Sequence, residues 1–427
     1  MSVRAACLTL LGVLPLLGGC GPREPSGAAS APAPLTQSAY VWQREWTDAV
    51  RAAVEEHAAD FETLAVLGAQ ISRSTTVRPG IDWKALQKSE ARTAAVIRLE
   101  KPLVPDPSAA VAAEVRRLAL EAAAAGAVLQ EIQVDYDSPQ KKLAEYTPWL
   151  KTVQQAVQPL PVHITTLASW LPEPAFRELI AACDGYILQV HSFDPPAPGR
   201  RAAVCDVRKA RAWVAQAAAL GRPFRVALPT YRTTAGFDPQ GKYLGAVTEG
   251  AAPNWPAGTV REEFPAPAEE LAALVAEWKR ARPPGLQGLI WYRLPVATDT
   301  RNWRWPALAA VMSGRSPLAK LEVKMTGTRP VDVVLSNSGE LDSWLPPRIT
   351  LTWTGPAPAA GDALAGWALE CSDGRAVFSI PPSTAARLLP AGKSAALGWL
   401  RFHDPNPPSD QIRIAVDPPA APAAGDR

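Results

Sequence analysis

Between residue 40 and residue 294 the chain alternates short apolar runs with longer stretches in which apolar residues recur every three or four positions. The short runs, at 40–46, 63–69, 94–100, 128–137, 162–167, 185–193, 224–231 and 288–294, have the length of strands. The intervening stretches at 49–61, 109–125, 142–157, 174–182, 207–219 and 268–282 are rich in Ala, Glu and Arg and have helical spacing. Eight strands alternating with helices over about 280 residues predict an α/β fold, a (β/α)8 TIM barrel occupying residues 37–316. An open doubly wound sheet is the competing architecture, but no GxGxxG follows the first strand. Beyond Pro317 the pattern changes. Apolar runs at 321–325, 331–336, 348–354, 364–371, 376–380, 395–402 and 411–416 are joined by Pro, Gly, Asn and Asp, with little helical periodicity. This predicts a C-terminal all-β sandwich domain over residues 317–417, followed by a disordered tail, 418–427.

One strand departs from the apolar rule. Glu131-Ile132-Gln133-Val134-Asp135-Tyr136-Asp137 alternates polar with apolar residues. In an extended chain Glu131, Gln133, Asp135 and Asp137 share one face, and Ile132, Val134 and Tyr136 the other. Barrel strands are buried on both sides, so a polar inner stripe is costly unless it has a purpose.

The 427 residues are 47% hydrophobic, enough for a large core without disulfides. A net charge of +3 and no basic run exclude nucleic acid as the expected partner. At the N-terminus Arg4 precedes an apolar run, 8–17, too short to span a bilayer as a helix. It ends in Leu17-Gly18-Gly19-Cys20, which resembles the lipobox of bacterial lipoproteins. That resemblance implies a signal peptide over 1–19, lipidation of Cys20, and a Pro/Ala/Ser/Gly-rich tether over 20–36. Gly21 in place of Asp implies the outer membrane, facing the periplasm or the cell surface. More than one acyl chain makes such an anchor stable. An ordinary signal peptide with an incidental cysteine is the alternative. Cys7 leaves with the signal, so Cys183, Cys205 and Cys371 remain. They have no metal-ligand spacing, and either one disulfide, Cys183 with Cys205, or isolated buried thiols fit. No metal or other cofactor is expected.

Barrel enzymes carry their reacting groups at the C-terminal ends of strands. Those ends here hold Trp42, Arg44 and Glu45; Arg98 and Glu100; Asp135 and Asp137; Gln189, His191 and Asp194; Tyr231; and Trp291, Tyr292 and Arg293. Carboxylates, amides, Arg and flat aromatic faces suit a carbohydrate, whose hydroxyls take hydrogen bonds and whose ring stacks on indoles. A GxSxG elbow, a phosphate loop and a metal-ligand cluster are absent.

The polar strand resembles the Asp-x-x-Asp-x-Asp-x-Glu strand of the chitinase-like glycoside hydrolases. Asp135 falls on the third acid, Asp137 on the catalytic Glu, Gln133 on the second Asp and Gln130 on the first. Leu188-Gln189-Val190-His191 takes the place of a Met-x-Tyr-type segment, and Trp291 that of the tryptophan flooring the sugar subsite. Only one motif aspartate is retained, and Asp137 is one methylene shorter than Glu. The chain is also similar, from Tyr40 to about Val416, to an uncharacterised family of bacterial secreted lipoproteins. That likeness rests on Tyr40-Val41-Trp42-Gln43-Arg44, Gln133 to Asp137 and Gly185 to His191, and it implies a barrel. For a hydrolase, the expectation is Asp137 as the acid. Asp135, its Cα about 7 Å away, stabilises charge or orients a nucleophile borne by the substrate. Trp42, Glu100, Gln133, Gln189, His191, Tyr231, Trp291 and Arg293 are the expected substrate contacts, with Glu45 and Asp194 in reserve. A non-catalytic glycan-binding lipoprotein is the alternative, and a structural envelope protein the third reading. In a purely structural role the two aspartates are hydrogen-bonded to barrel-top amides or to Arg98 and Arg293, holding the rim together.

Overall fold

The computed structural model describes residues 34–101, 105–196, 202–250, 253–381, 387–403 and 411–418. The expected signal peptide, Cys20, the tether up to residue 33 and the tail from residue 419 lie outside the described residues.

Eight parallel strands form the barrel: β1 (Thr36–Val41), β2 (Thr63–Ile71), β3 (Arg92–Leu99), β4 (Leu129–Asp135), β5 (Val162–Leu167), β6 (Gly185–Gln189), β7 (Phe224–Pro229) and β8 (Leu286–Tyr292). Each pairs with the next, and β1 pairs with both β2 and β8, so the sheet closes on itself. A helix follows each strand: α1 (Asp48–His57), α2 (Trp83–Lys88), α3 (Ser108–Ala124), α4 (Leu143–Ala156), α5 (Pro174–Ala181), α6 (Val207–Ala219), α7 (Ala268–Arg280) and α8 (Trp305–Ser313). Short α2 has too few turns to declare a period, and α8 is apolar almost throughout and so shows no polar face, which is why both escaped the sequence reading.

The barrel has two apolar layers, as alternation along a closed sheet requires. One lies between strands and helices. The other, with Tyr40, Ala65, Leu67, Val96, Ile187 and Ile290, fills the interior. The β4 stripe faces inward, and its lower half forms a buried ionic knot. Glu131 pairs with Arg225 of β7 and lies 3.1 Å from His163 of β5, and both acid and guanidinium are nearly inaccessible. Above it, Gln133 donates to Glu131 (2.8 Å) and accepts from the Tyr40 hydroxyl (2.9 Å).

Between β7 and α7 the chain inserts a three-stranded antiparallel sheet. Arg232–Phe237 is the central strand, flanked by Tyr243–Val247 and Val260–Pro265. Trp255 lies against Gly236, where a Cβ would come within 2.8 Å of the indole. This insert was not foreseen, because its strands carry Gly, Pro and charge in place of clean alternation.

Among the described residues the C-terminal region forms two four-stranded antiparallel sheets and a two-stranded one, around a core of Val333, Leu335, Ile349, Leu351, Phe378, Leu397 and Leu400. Of the run at 364–371, expected as one strand, only the second half is extended, within Ala368–Ser372; its first half is the turn that leads there from Ala360–Ala363, a strand of a different sheet. The chain crosses between them through Ala365 and Gly366, both at positive φ. Polar contacts tie this region to the barrel: Arg232 (3.3 Å) and Arg304 (3.8 Å) reach Asp342, and Arg315 pairs with Glu340. Cys183 and Cys205 are buried free thiols.

Candidate functional site

A cavity of about 430 Å3 opens at the C-terminal ends of the strands. Of the ten residues expected to catalyse or to touch substrate, Trp42, Glu100, Asp135, Asp137, Gln189, His191 and Tyr231 line it. Three do not. Gln133 lies beneath it, fully buried under the Tyr40 hydroxyl. Trp291 points to the outer layer, where its indole N–H donates to Gln37 (2.7 Å) and its ring meets Trp303. Alternation along β8 explains this: the inward aromatic at the mouth is Tyr292, one residue on. Arg293 turns away to Asp299 (Nε–Oδ2 2.9 Å), though it also approaches Glu249 at 3.5 Å. Of the reserve acids, Asp194 pairs with Lys209 at 2.6 Å and Glu45 is exposed at the surface.

Asp135 and Asp137, two residues apart, have different surroundings. Asp135 stands opposite Arg98 in the register of β3 and β4. Arg98 Nη1 donates to its Oδ2 (2.7 Å), and Thr165 of β5 donates to its Oδ1 (2.6 Å). Both oxygens are engaged, so its position is fixed. Asp137 accepts no hydrogen bond among the described residues. Burial raises its pKa above the ordinary carboxyl value, and the Asp135 charge raises it further, against Arg98 and Lys101. The expectation that Arg98 ties down the pair therefore holds for Asp135 alone.

Aromatic rings make the floor and one wall. Tyr292 is the hub: its ring is 5.1 Å from Trp42, 5.8 Å from Tyr40 and Tyr231, and stacked at 5.5 Å on His191. Arg98 lies over Trp42 at 5.8 Å, within cation–π range. His191 Nδ1 is 3.2 Å from the Tyr231 hydroxyl, and burial pulls its pKa down to about 4, so the imidazole is neutral near pH 7. Burial likewise raises the Tyr231 and Tyr292 phenols, which stay protonated. The wall thus offers flat apolar faces with hydroxyls and amides at their edges.

The insert contributes the residues that sequence reasoning missed. Ala246, Val247, Thr248 and Glu249 reach the cavity. The Tyr292 hydroxyl donates to Glu249, and Arg44 stands 3.8 Å from its other oxygen. Arg44 donates to Gln70 (2.7 Å), which donates to Glu100 (3.0 Å), making a polar belt from β8 to β3. A carboxylate in an irregular insert carries no periodic signal. Tyr292 could have been found by counting inward positions along β8. Among the described residues no cluster has the makings of a metal site.

Residues 90–297 match DUF3142, a domain of unknown function, and residues 323–403 match DUF8456, likewise a domain of unknown function. The first runs from the end of α2 through β8, and the second lies within the C-terminal sheets. No curated protein matches the chain. Among solved structures, the spore cortex-lytic enzyme SleL of Bacillus cereus is similar at TM-score 0.44 and 11% identity, covering 61% of this chain and 71% of that one. A chitinase from Bacteroides thetaiotaomicron gives a TM-score of 0.40 at 12% identity, covering 61% and 90%. A putative alpha-L-fucosidase from the same organism gives 0.38 at 9%, covering 64% and 91%. The barrel is read from the strand pairing of this chain, and the chemistry of the cavity from its own residues.

Proposed function

We propose that the protein is a glycoside hydrolase of the bacterial cell envelope, lipid-anchored through Cys20 and acting on a polysaccharide at the C-terminal mouth of the barrel. One observation carries the catalytic part: Asp137 is a half-buried carboxyl in the cavity, free of hydrogen bonds among the described residues and shifted toward its protonated form. Such a group is poised to protonate a glycosidic oxygen as the bond breaks. Asp135, held in place by Arg98 and Thr165, sets beside it the charge that raises the Asp137 pKa. That charge also stabilises the oxocarbenium-like centre. Trp42 and Tyr292 supply faces for a sugar ring, and Gln189, Tyr231 and His191 supply partners for its hydroxyls. The anchoring part is supported by Leu17-Gly18-Gly19-Cys20, and Gly21 favours the outer membrane.

The short reach of Asp137 favours a second reading, a glycan-binding lipoprotein without turnover. One screen separates the two. The full chain in detergent and its Asp137→Asn variant are incubated with bacterial polysaccharides, and both reducing-end release and binding are measured. Hydrolysis abolished by the variant is the expected result. Binding without release in the wild type moves the assignment to the second reading, and absence of both removes the carbohydrate assignment.

A further inference from the structure

An acid alone does not complete hydrolysis. The attacking water must also lose a proton, which in inverting glycosidases goes to a second acidic side chain on the far side of the sugar ring. Asp135 is unsuited, since Arg98 and Thr165 occupy both of its oxygens. Glu100 is exposed and lies on the β3 side, next to β4. Glu249 is placed differently. It hangs from Tyr292 at the mouth of β8, and three strands separate β8 from β4 in either direction around the ring. Asp137 and Glu249 therefore reach into the cavity from opposite walls. The interior of an eight-stranded barrel is narrow enough for side chains to span, and about 430 Å3 lies at its mouth for a sugar unit and a water. Tyr292 occupies Oε1 of Glu249. Oε2 has only Arg44 at 3.8 Å, beyond hydrogen-bond range, and accepts nothing from the described residues.

We propose that Glu249, carried by the insert, is the catalytic base that faces Asp137, so that the protein hydrolyses its glycoside with inversion at the anomeric carbon. This rests on the reading of Asp137 as the acid. Water bound at Oε2 attacks the anomeric carbon as the bond to the leaving oxygen breaks. Asp137 gives its proton to that oxygen, and Glu249 takes the proton of the water. Exchange with solvent restores both groups. Inverting enzymes set their carboxyls about 6.5–9.5 Å apart to leave room for the water, and carboxyls entering a cavity of about 430 Å3 from different strands leave such room.

The test uses the full chain and 2,4-dinitrophenyl β-glycosides of glucose and N-acetylglucosamine, whose leaving group needs no acid. Proton NMR of the first product from the wild type is expected to show the α anomer. Glu249→Gln is expected to lose about 10²–10⁴-fold in turnover. Azide should restore part of it as the α-glycosyl azide, a rescue that a merely structural role would not give. A first product of β configuration overturns the proposal, and so does a Glu249→Gln variant within threefold of wild type. Either result leaves Asp137 standing if Asp137→Asn still abolishes cleavage of unactivated glycosides. No turnover of any probe by the wild type overturns both. Should Glu249→Gln fail to fold, the wild-type anomer decides alone.

Discussion

Replacing Glu131 by Gln separates the structural half of the β4 stripe from its chemical half. Glu131 is 7% exposed and faces Arg225 and His163 inside the barrel. Burial by itself would raise its pKa. The hydrogen bond and charge of His163, with the charge of Arg225, outweigh burial and bring it down from 4.5 to about 2. A drop of that size corresponds to about 3 kcal/mol of stability. Because the folded value is the lower one, this stability is complete above the unfolded pKa and is lost as pH falls from about 4.5 towards 2. Glutamine removes the charge and leaves the Arg225 guanidinium buried without a counter-ion, a cost of about 3–5 kcal/mol. Urea unfolding followed by tryptophan fluorescence at pH 7, 5 and 3 reads both effects. The variant should be weaker by about 3 kcal/mol or more at pH 7, and the gap should narrow as pH drops to 3. Glycan binding at pH 7 should survive, since Glu131 lies four residues below Asp135. A gap under about 1 kcal/mol, or one unchanged from pH 7 to 3, refutes the reasoning.

Asp135→Asn removes a charge that raises the Asp137 pKa, so the alkaline limb of a kcat/KM–pH profile should move to lower pH; an unmoved limb contradicts that coupling. Trp42→Ala takes away a ring packed against Tyr40, Tyr292 and Arg98, and calorimetry should show oligosaccharide affinity down by about tenfold, or 1.4 kcal/mol. Asp342→Ala strips a largely buried carboxylate from Arg232 and Arg304 and should cost about 2 kcal/mol in denaturant unfolding, with no change in oligosaccharide affinity. Cys20→Ser should abolish palmitate labelling and release the protein from membranes, and labelling that persists would exclude the proposed anchor.

The barrel was legible because its strands and longer helices have clean periods. Val162–Leu167 and Val207–Ala219 emerge with the bounds that the residue pattern suggests. The inward stripe was legible for the same reason, since period two assigns faces without knowledge of the fold. What periodicity could not supply was height within the barrel. It did not separate Glu131, locked to Arg225, from Asp137, open to the cavity. Trp291 shows a finer limit: one step along β8 moves a ring from the cavity to the helix layer, so Tyr292 lines the mouth instead. Glu249 was out of reach because its place depends on how an irregular insert folds back over the mouth. His163 has its partners, Glu131 and Arg225, on other strands, and they come to it only when the barrel closes.

The central claim is that Asp137 donates the proton to the leaving oxygen. Its most direct test compares wild type with Asp137→Asn on two substrates that share a sugar, an unactivated glycoside and its 2,4-dinitrophenyl counterpart. With Asp137 as the acid, kcat/KM falls by about 10²–10⁴-fold on the first and by less than about tenfold on the second. An equal loss on both, or no loss on either, would contradict it.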